Sequence, residues 1–377
     1  KVFRDTEHHI LILSFTNRAV DEICLNLKKH SIPFIRTGQS ETIKQELLEH
    51  LIAEQDFDEI EKIIKRNRIW VATVQSCNAW LNDMLNIVKI DELVIDEASQ
   101  IIENNILGII TKVGKTILIG DQNQLPPITL QTKETFKFQN QQLKSLCYDY
   151  YNKSMMERLF QVCETRGWNH SITMLNEHYR MHNQIASLVQ EYYANALIPK
   201  LSLQLQDLVP QGNILVDSRL VWIELPVSEH LNYDSLQVQY IIQILKVFKQ
   251  YGIVQNYDKD VGIVTPFRAM IQAIYKELPT DLKAITIDTV ERFQGSERKN
   301  IIISLPLHHA NDLSLTEALS SDGKVDRKLN VAITRAQERL IILGCSKLCQ
   351  KSRHYNNLLH KIQSSGTMLN YQELFKL

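Results

Sequence analysis

Leu93-Val94-Ile95-Asp96-Glu97-Ala98-Ser99-Gln100 reads as a short apolar strand that runs straight into two adjacent carboxylates. A strand that is apolar at consecutive positions is buried on both faces, as in parallel sheets covered by helices. In open sheets of that kind ligands bind beyond the carboxyl ends of the strands, where Asp96 and Glu97 stand. Nucleotide hydrolysis needs one carboxylate to hold a divalent cation and another to orient and deprotonate the attacking water. Asp96 suits the first task and Glu97 the second. Taken alone, the pair reads equally well as a loop entry and helix start.

Outward from this stretch, runs of the same kind occur at Ile10–Ser14, Ile69–Thr73 and 116–120, then at 220–223, Val261–Val264, 284–287, 300–304 and 340–343. Between them apolar residues recur at helical spacing, as in Ala19, Val20, Ile23 and Leu27, or Ile185, Leu188 and Val189. Strands alternating with helices predict an α/β fold of two domains, each a parallel sheet covered by helices. A length of 377 residues also favours two domains. Polar stretches at 131–154, 203–213 and 308–328 break the rhythm as loops, and the first sets the expected division into residues 1–168 and 169–377. Residues 39–68 are charged and helical in pattern.

No apolar run approaches the roughly 20 residues of a membrane span, and the polar residues 1–9 do not resemble a signal peptide. The expectation is a cytoplasmic, intracellular protein, nuclear if its source is eukaryotic. Six cysteines then read as free thiols, and Cys345, Cys349, His354 and His360 fit no common zinc spacing, so no structural metal is expected. A net charge of −1 does not announce a nucleic-acid partner, although a motor needs only a basic channel.

The 116–120 run enters a polar turn, Asp121-Gln122-Asn123-Gln124-Leu125-Pro126-Pro127, whose prolines stop any helix. Gln124 could donate to a γ-phosphate oxygen or to the attacking water; the bland alternative is a simple strand exit.

Taken in order, these segments resemble the motifs of superfamily 1 helicases, in the branch of the nonsense-mediated-decay helicase and its DNA-acting relatives (superfamily 1B). Residues 10–24 resemble motif Ia and residues 69–76 the Ic strand. Asp96-Glu97-Ala98-Ser99-Gln100 and Gly120-Asp121-Gln122-Asn123-Gln124-Leu125-Pro126-Pro127 resemble motifs II and III. Glu177-His178-Tyr179-Arg180-Met181-His182 resembles motif IV, and Val264-Thr265-Pro266-Phe267-Arg268 a following element. Residues 289–297, which include Gly295 and Glu297, resemble motif V, and Asn330-Val331-Ala332-Ile333-Thr334-Arg335-Ala336 motif VI.

The resemblance implies two RecA-like domains of the P-loop NTPase type, with motifs Ia to III on the first and IV to VI on the second. It implies an ATP- and Mg²⁺-dependent helicase or translocase on single-stranded nucleic acid, DNA or RNA, moving 5′ to 3′ with DNA favoured. Asp96 would hold Mg²⁺, Glu97 would act on the water, and Gln124 on a γ-phosphate oxygen or the water. Arg180 and Arg335 would be arginine fingers, a task that suits a planar, permanently charged guanidinium. Tyr179 would pack on the nucleoside, Gly295 would allow close approach and Glu297 would accept from the ribose. Thr16, Asn17, Thr73, Thr265, Pro266, Phe267, Arg268 and Thr289 would face the nucleic acid, with phosphate contacts at strand ends and helix starts and a stacking role for Phe267. The ordinary readings are surface ion pairs for the arginines, core packing for Tyr179 and helix caps for the threonines.

Two departures stand out. The family's glycine-rich phosphate loop precedes motif Ia, yet residues 1–9 contain no glycine; the expectation is a first domain incomplete at its N-terminus and a chain that hydrolyses ATP poorly alone. The one Gly-Lys-Thr, Gly114-Lys115-Thr116, leads into a strand rather than out of one and reads as a surface turn. Relatives also tend to carry Asn-x-x-Glu after the 220–223 strand, whereas here Asn232 is followed at that spacing by Ser235. A rival reading is a hydrolysis-incompetent module that keeps the fold to bind nucleic acid or protein. A nuclease fused outside the chain is a third.

Overall fold

The computed structural model describes residues 8–40, 42–128, 140–148, 153–230 and 233–374; Asn232, most of residues 1–9 and much of the 131–154 stretch lie outside the described residues. The chain divides into two compact units, Lys1–Gln122 with Pro126–Thr173, and Asn123–Leu125 with Met174–Leu377. The expected division at 168/169 differs at two places. The turn Asn169–Ser171 still counts with the first unit. Asn123–Leu125 counts with the second because Leu125 packs in its core and the Asn330 side chain donates to the Asn123 carbonyl at 2.8 Å.

The first unit is built on a five-stranded sheet in the order β2-β3-β1-β4-β5, where β1 is Ile10–Ser14, β2 Ile35–Arg36, β3 Ile69–Thr73, β4 Glu92–Ile95 and β5 Lys115–Leu118. Every pairing is parallel. Alternate residues feed opposite faces: Leu11, Leu13, Trp70 and Ala72 join one core cluster, while Ile12, Ile69 and Val71 join another with Val20 and Cys24. Both faces are covered, which is why these strands are apolar throughout. Helices leave the carboxyl ends of β1 and β3 under threonine caps. Thr16 Oγ1 accepts from the Ala19 amide at the head of Asn17–Lys29, and Thr73 Oγ1 from the Ser76 amide at the head of Val74–Leu85. Gly114-Lys115-Thr116 opens β5, the Lys115 amide donating to the Asp91 carbonyl at 3.0 Å.

In the second unit a short parallel pair, β6 (Glu177–His178) and β7 (Ile198–Pro199), precedes a six-stranded sheet. That sheet runs β10-β9-β11-β12-β8-β13, all parallel, from β8 (Leu220–Glu224), β9 (Val261–Val264), β10 (Thr286–Asp288), β11 (Arg298–Ser304), β12 (Ala336–Gly344) and β13 (Thr367–Asn370). The expected strand at 284–287 begins later, and β12 extends well beyond 340–343. Residues 308–328 are not plain loop: they include the helix Leu313–Thr316 and bury Leu313 and Val325. Among the described residues no helix is long and apolar enough to cross a membrane.

Candidate functional site

The first unit gathers its candidate chemistry where β1, β4 and β5 end. The Asp96 amide donates to the Leu13 carbonyl at 2.8 Å, which holds the start of the carboxylate pair against β1. Burial pushes the Asp96 carboxyl above its usual range, the Glu97 amide pulls it down, and the charge of Glu22 adds a smaller upward push. Glu97 adopts φ 54°, ψ 36°, a left-handed conformation uncommon for a non-glycine residue. Gln100 holds its carboxylate, Nε2 donating to Oε2 at 2.7 Å. The turn is tight because the Ala98 amide donates to the Ile119 carbonyl at 2.8 Å. A Cβ on Gly120 would come within 3.0 Å of the Ser99 amide nitrogen, so only glycine lets β5 leave beside this turn. At the end of β1 and within the Asp96–Gln100 turn, Ser14 Oγ and Ser99 Oγ are buried without a hydrogen-bond partner. Gln124 is assigned to the second unit, apart from the unit that carries Asp96 and Glu97.

Five of the sequence-derived candidates come together in the second unit. Arg180 pairs with the Glu297 carboxylate, and its Nη1 donates to the Thr334 carbonyl at 3.5 Å. Gln337 Nε2 also donates to Glu297, at 2.7 Å. Arg335 is 2% exposed and spends its guanidinium on the Val331 carbonyl at 3.0 Å, the Ser296 carbonyl at 3.3 Å and Thr334 Oγ1 at 3.0 Å. The Gly295–Glu297 turn is thus held by both arginines. Gly295 has φ 75° with open space where a Cβ would sit, so conformation rather than crowding calls for glycine there. Tyr179 is 59% exposed, its hydroxyl donating to Glu177 at 3.3 Å, so it is a surface ring and not core.

The candidate nucleic-acid residues divide by burial. Thr16 and Asn17 are exposed at the start of a 13-residue helix, a position that suits a phosphate. Arg268 is exposed at the start of Arg268–Glu277, and Pro266 and Thr289 are half-buried. Thr265 is fully buried and Thr73 nearly so. Phe267 packs in the core with Met270 and Ile274, because a ring at the cap of an amphipathic helix is better kept from water than offered to it. In this conformation Phe267 is not a stacking platform, a correction to the sequence expectation. The sequence reading missed Arg36, wholly buried and bonded to Asn17. A lone cation after the apolar Phe34-Ile35 was the signal. The six cysteines are free thiols.

An AAA domain family matches residues 151–347, more than half of the chain, and a second AAA domain family matches residues 43–132. The chain is a superfamily 1 helicase core of the AAA domain family. This helicase core is 27% identical over 380 residues to the DNA replication ATP-dependent helicase/nuclease DNA2 of Gallus gallus, covering 96% of this chain and 34% of that protein. It is 27% identical to an ATP-dependent helicase of Methanocaldococcus jannaschii, covering 81% of this chain and 43% of that protein. It is also 27% identical to the probable helicase senataxin of Homo sapiens, over 74% of this chain and 10% of that one. The helicase core therefore spans about a third of the length of its DNA2 relative.

Proposed function

We propose that this helicase core is the ATP-dependent motor of a protein that translocates 5′ to 3′ on single-stranded nucleic acid, DNA in preference to RNA. The observation that carries the reading is the carboxylate pair at the end of β4, with Glu97 held in a left-handed conformation directly after the half-buried Asp96. A costly backbone conformation at a strand end marks a residue whose placement matters for more than folding. The relatives' names support ATP dependence and, for DNA2, a DNA substrate.

The residues here fit a magnesium nucleotide. Mg²⁺ takes oxygen ligands, and the Asp96 carboxylate with the buried hydroxyls of Ser14 and Ser99 makes an all-oxygen neighbourhood. When bound, the ion would polarise phosphoryl oxygens. Glu97, steadied by Gln100, orients and deprotonates water. Gln124 is assigned to donate to a γ-phosphate oxygen or to water. Arg180 is the more accessible arginine finger, and it reaches a phosphate by exchanging Glu297 for the ligand. Arg335 must likewise leave Ser296 and Thr334. Exposed Tyr179 stacks on the base, and Glu297 accepts from the ribose once Arg180 has left it. On the first unit Thr16 and Asn17, and on the second Pro266, Arg268 and Thr289, are the residues proposed to meet nucleic acid, while Thr73 and Thr265 are buried.

The test is ATP turnover by the full-length protein with oligo(dT), oligo(rU) or neither. Stimulation by oligo(dT) is expected, and Glu97→Gln should lower kcat by about 100-fold or more while leaving oligo(dT) affinity unchanged. Undiminished turnover in Glu97→Gln would remove the general-base role, and absence of ATP turnover would favour the binding-module reading.

A further inference from the structure

Arg36 ends β2, the short strand beside β3, and no part of its side chain reaches solvent. A buried guanidinium is costly unless its donors are met, and these donors are met almost entirely from one patch. Nε pairs with Asp21 Oδ1 at 3.2 Å, Nη1 donates to the Thr37 carbonyl, and Nη2 donates to both the Gln39 carbonyl and Asn17 Oδ1 at 2.9 Å. Asp21 lies one helical turn after Asn17, and its second oxygen accepts from Ser40 Oγ at 2.9 Å. Between Thr37 and Ser40 the chain turns at Gly38, φ 86°, where a Cβ would meet Ser76 Oγ at 2.8 Å. The guanidinium therefore ties the head of the Asn17–Lys29 helix to the loop that follows β2.

The chemistry of the Arg36–Asn17 contact has a direction. A guanidinium has donors only, so the atom of Asn17 that meets it must be the amide oxygen. The two N–H donors of Nδ2 are then turned away from Arg36, on an exposed side chain beside Thr16. Donors on a helix's first residue match the acceptor oxygens of a phosphate.

We propose that Arg36 is a positioning residue for nucleic-acid binding: it touches no nucleic acid, but locks the Asn17 amide with its nitrogen outward as a phosphate donor. The inference rests on the functional reading above and names the residue that orients one contact of it. Because Asn17 is neutral, its loss should weaken binding without changing the number of counterions released. A direct phosphate contact by Arg36 would instead lower the salt slope by about one.

The experiment is a double-mutant cycle on the full chain, read as the Kd for fluorescein-labelled oligo(dT) across a salt series, with thermal melting to verify folding. Asn17→Ala and Arg36→Lys should each weaken binding about tenfold at unchanged salt slope, and the double variant should be no weaker than Asn17→Ala. Asp21→Ala, which loosens the same cluster from its less buried side, should weaken binding only when Asn17 is present. It keeps the test available if Arg36→Lys fails to fold. Additive losses, a salt slope reduced by one in the neutral Arg36→Gln, or full affinity in Asn17→Ala would each overturn the proposal. A chain that does not bind oligo(dT) before substitution would overturn the functional reading together with it.

Discussion

Glu97 has a conformation its side chain disfavours, at φ 54° and ψ 36°. For an L-residue with a Cβ, the left-handed region costs on the order of 1 kcal/mol, a cost glycine escapes. Glu97→Ala and Glu97→Gly both lose the carboxylate and its bond from Gln100, so comparing them isolates the backbone. Glu97→Gly should be the more stable of the two by about 1 kcal/mol in urea unfolding, although both should lose hydrolysis. Equal stability, or an advantage for alanine, would mean that the turn relaxes and the position carries no strain. Asp96 and Glu97 were legible in the sequence because a strand end announces itself by where the apolar run stops. Arg36 was only half legible: the apolar Phe34-Ile35 before it points to burial, but nothing local says that its guanidinium turns inward to Asn17 and Asp21. Phe267 was misread for the reciprocal reason: an aromatic beside an arginine suits a stacking site as well as a helix cap, and only packing decides.

At the scale of elements, apolar runs located the strands because both faces of each parallel sheet are buried, as at β1, β3, β9 and β11. β2 and β13 escaped notice because a two-residue strand and a half-exposed edge strand leave no such run. Equally invisible was the tie between the helix Met155–Arg166 and the segment before Asn104–Ile110. There Arg158 meets Glu103 with two bonds, Nε to Oε2 at 2.6 Å and Nη2 to Oε1 at 2.7 Å. Side-chain exposures of 13% and 5% place the pair largely out of water. Removing one member leaves a largely buried charge without its counter-charge, whereas removing both does not. Glu103→Leu alone should cost about 3 kcal/mol in urea unfolding, and adding Arg158→Met should recover most of that loss. If the double variant is as unstable as the single one, the pair is an essential tie rather than a matched pair of buried charges.

Over the whole molecule, two buried groups of the second unit set opposite responses to acid. His182 caps the helix Asn183–Ser187, its Nδ1 accepting from the Gln184 amide at 3.2 Å and its Nε2 donating to the Gln206 carbonyl at 3.1 Å. Burial, aided by the charge of Arg219, holds its pKa down from 6.5 to about 4. The folded state then resists protonation that the unfolded chain accepts, so this stability is present above pH 6.5 and is lost as pH falls toward about 4. Asp326 heads the helix Arg327–Thr334, accepting from the amides of Ala318, Lys328 and Leu329. Burial raises its carboxyl from 3.8 to about 6 despite those amides. Its contribution has the other sign: it is present below pH 3.8 and is lost as pH rises through about 6. Between roughly pH 6 and 4 the two offset each other, so the unsubstituted chain should show less acid sensitivity than either residue implies. Asn at either position can still cap a helix, so His182→Asn and Asp326→Asn remove the titration while keeping a hydrogen-bonding cap. Hydrogen exchange of the β11 and β12 amides, compared between variants at one pH so that intrinsic rates cancel, reads the outcome within the second unit. From pH 7.5 to pH 5, protection should fall in Asp326→Asn and rise in His182→Asn relative to the unsubstituted chain. Parallel changes in the two variants would show that burial does not separate these groups' titrations in opposite directions.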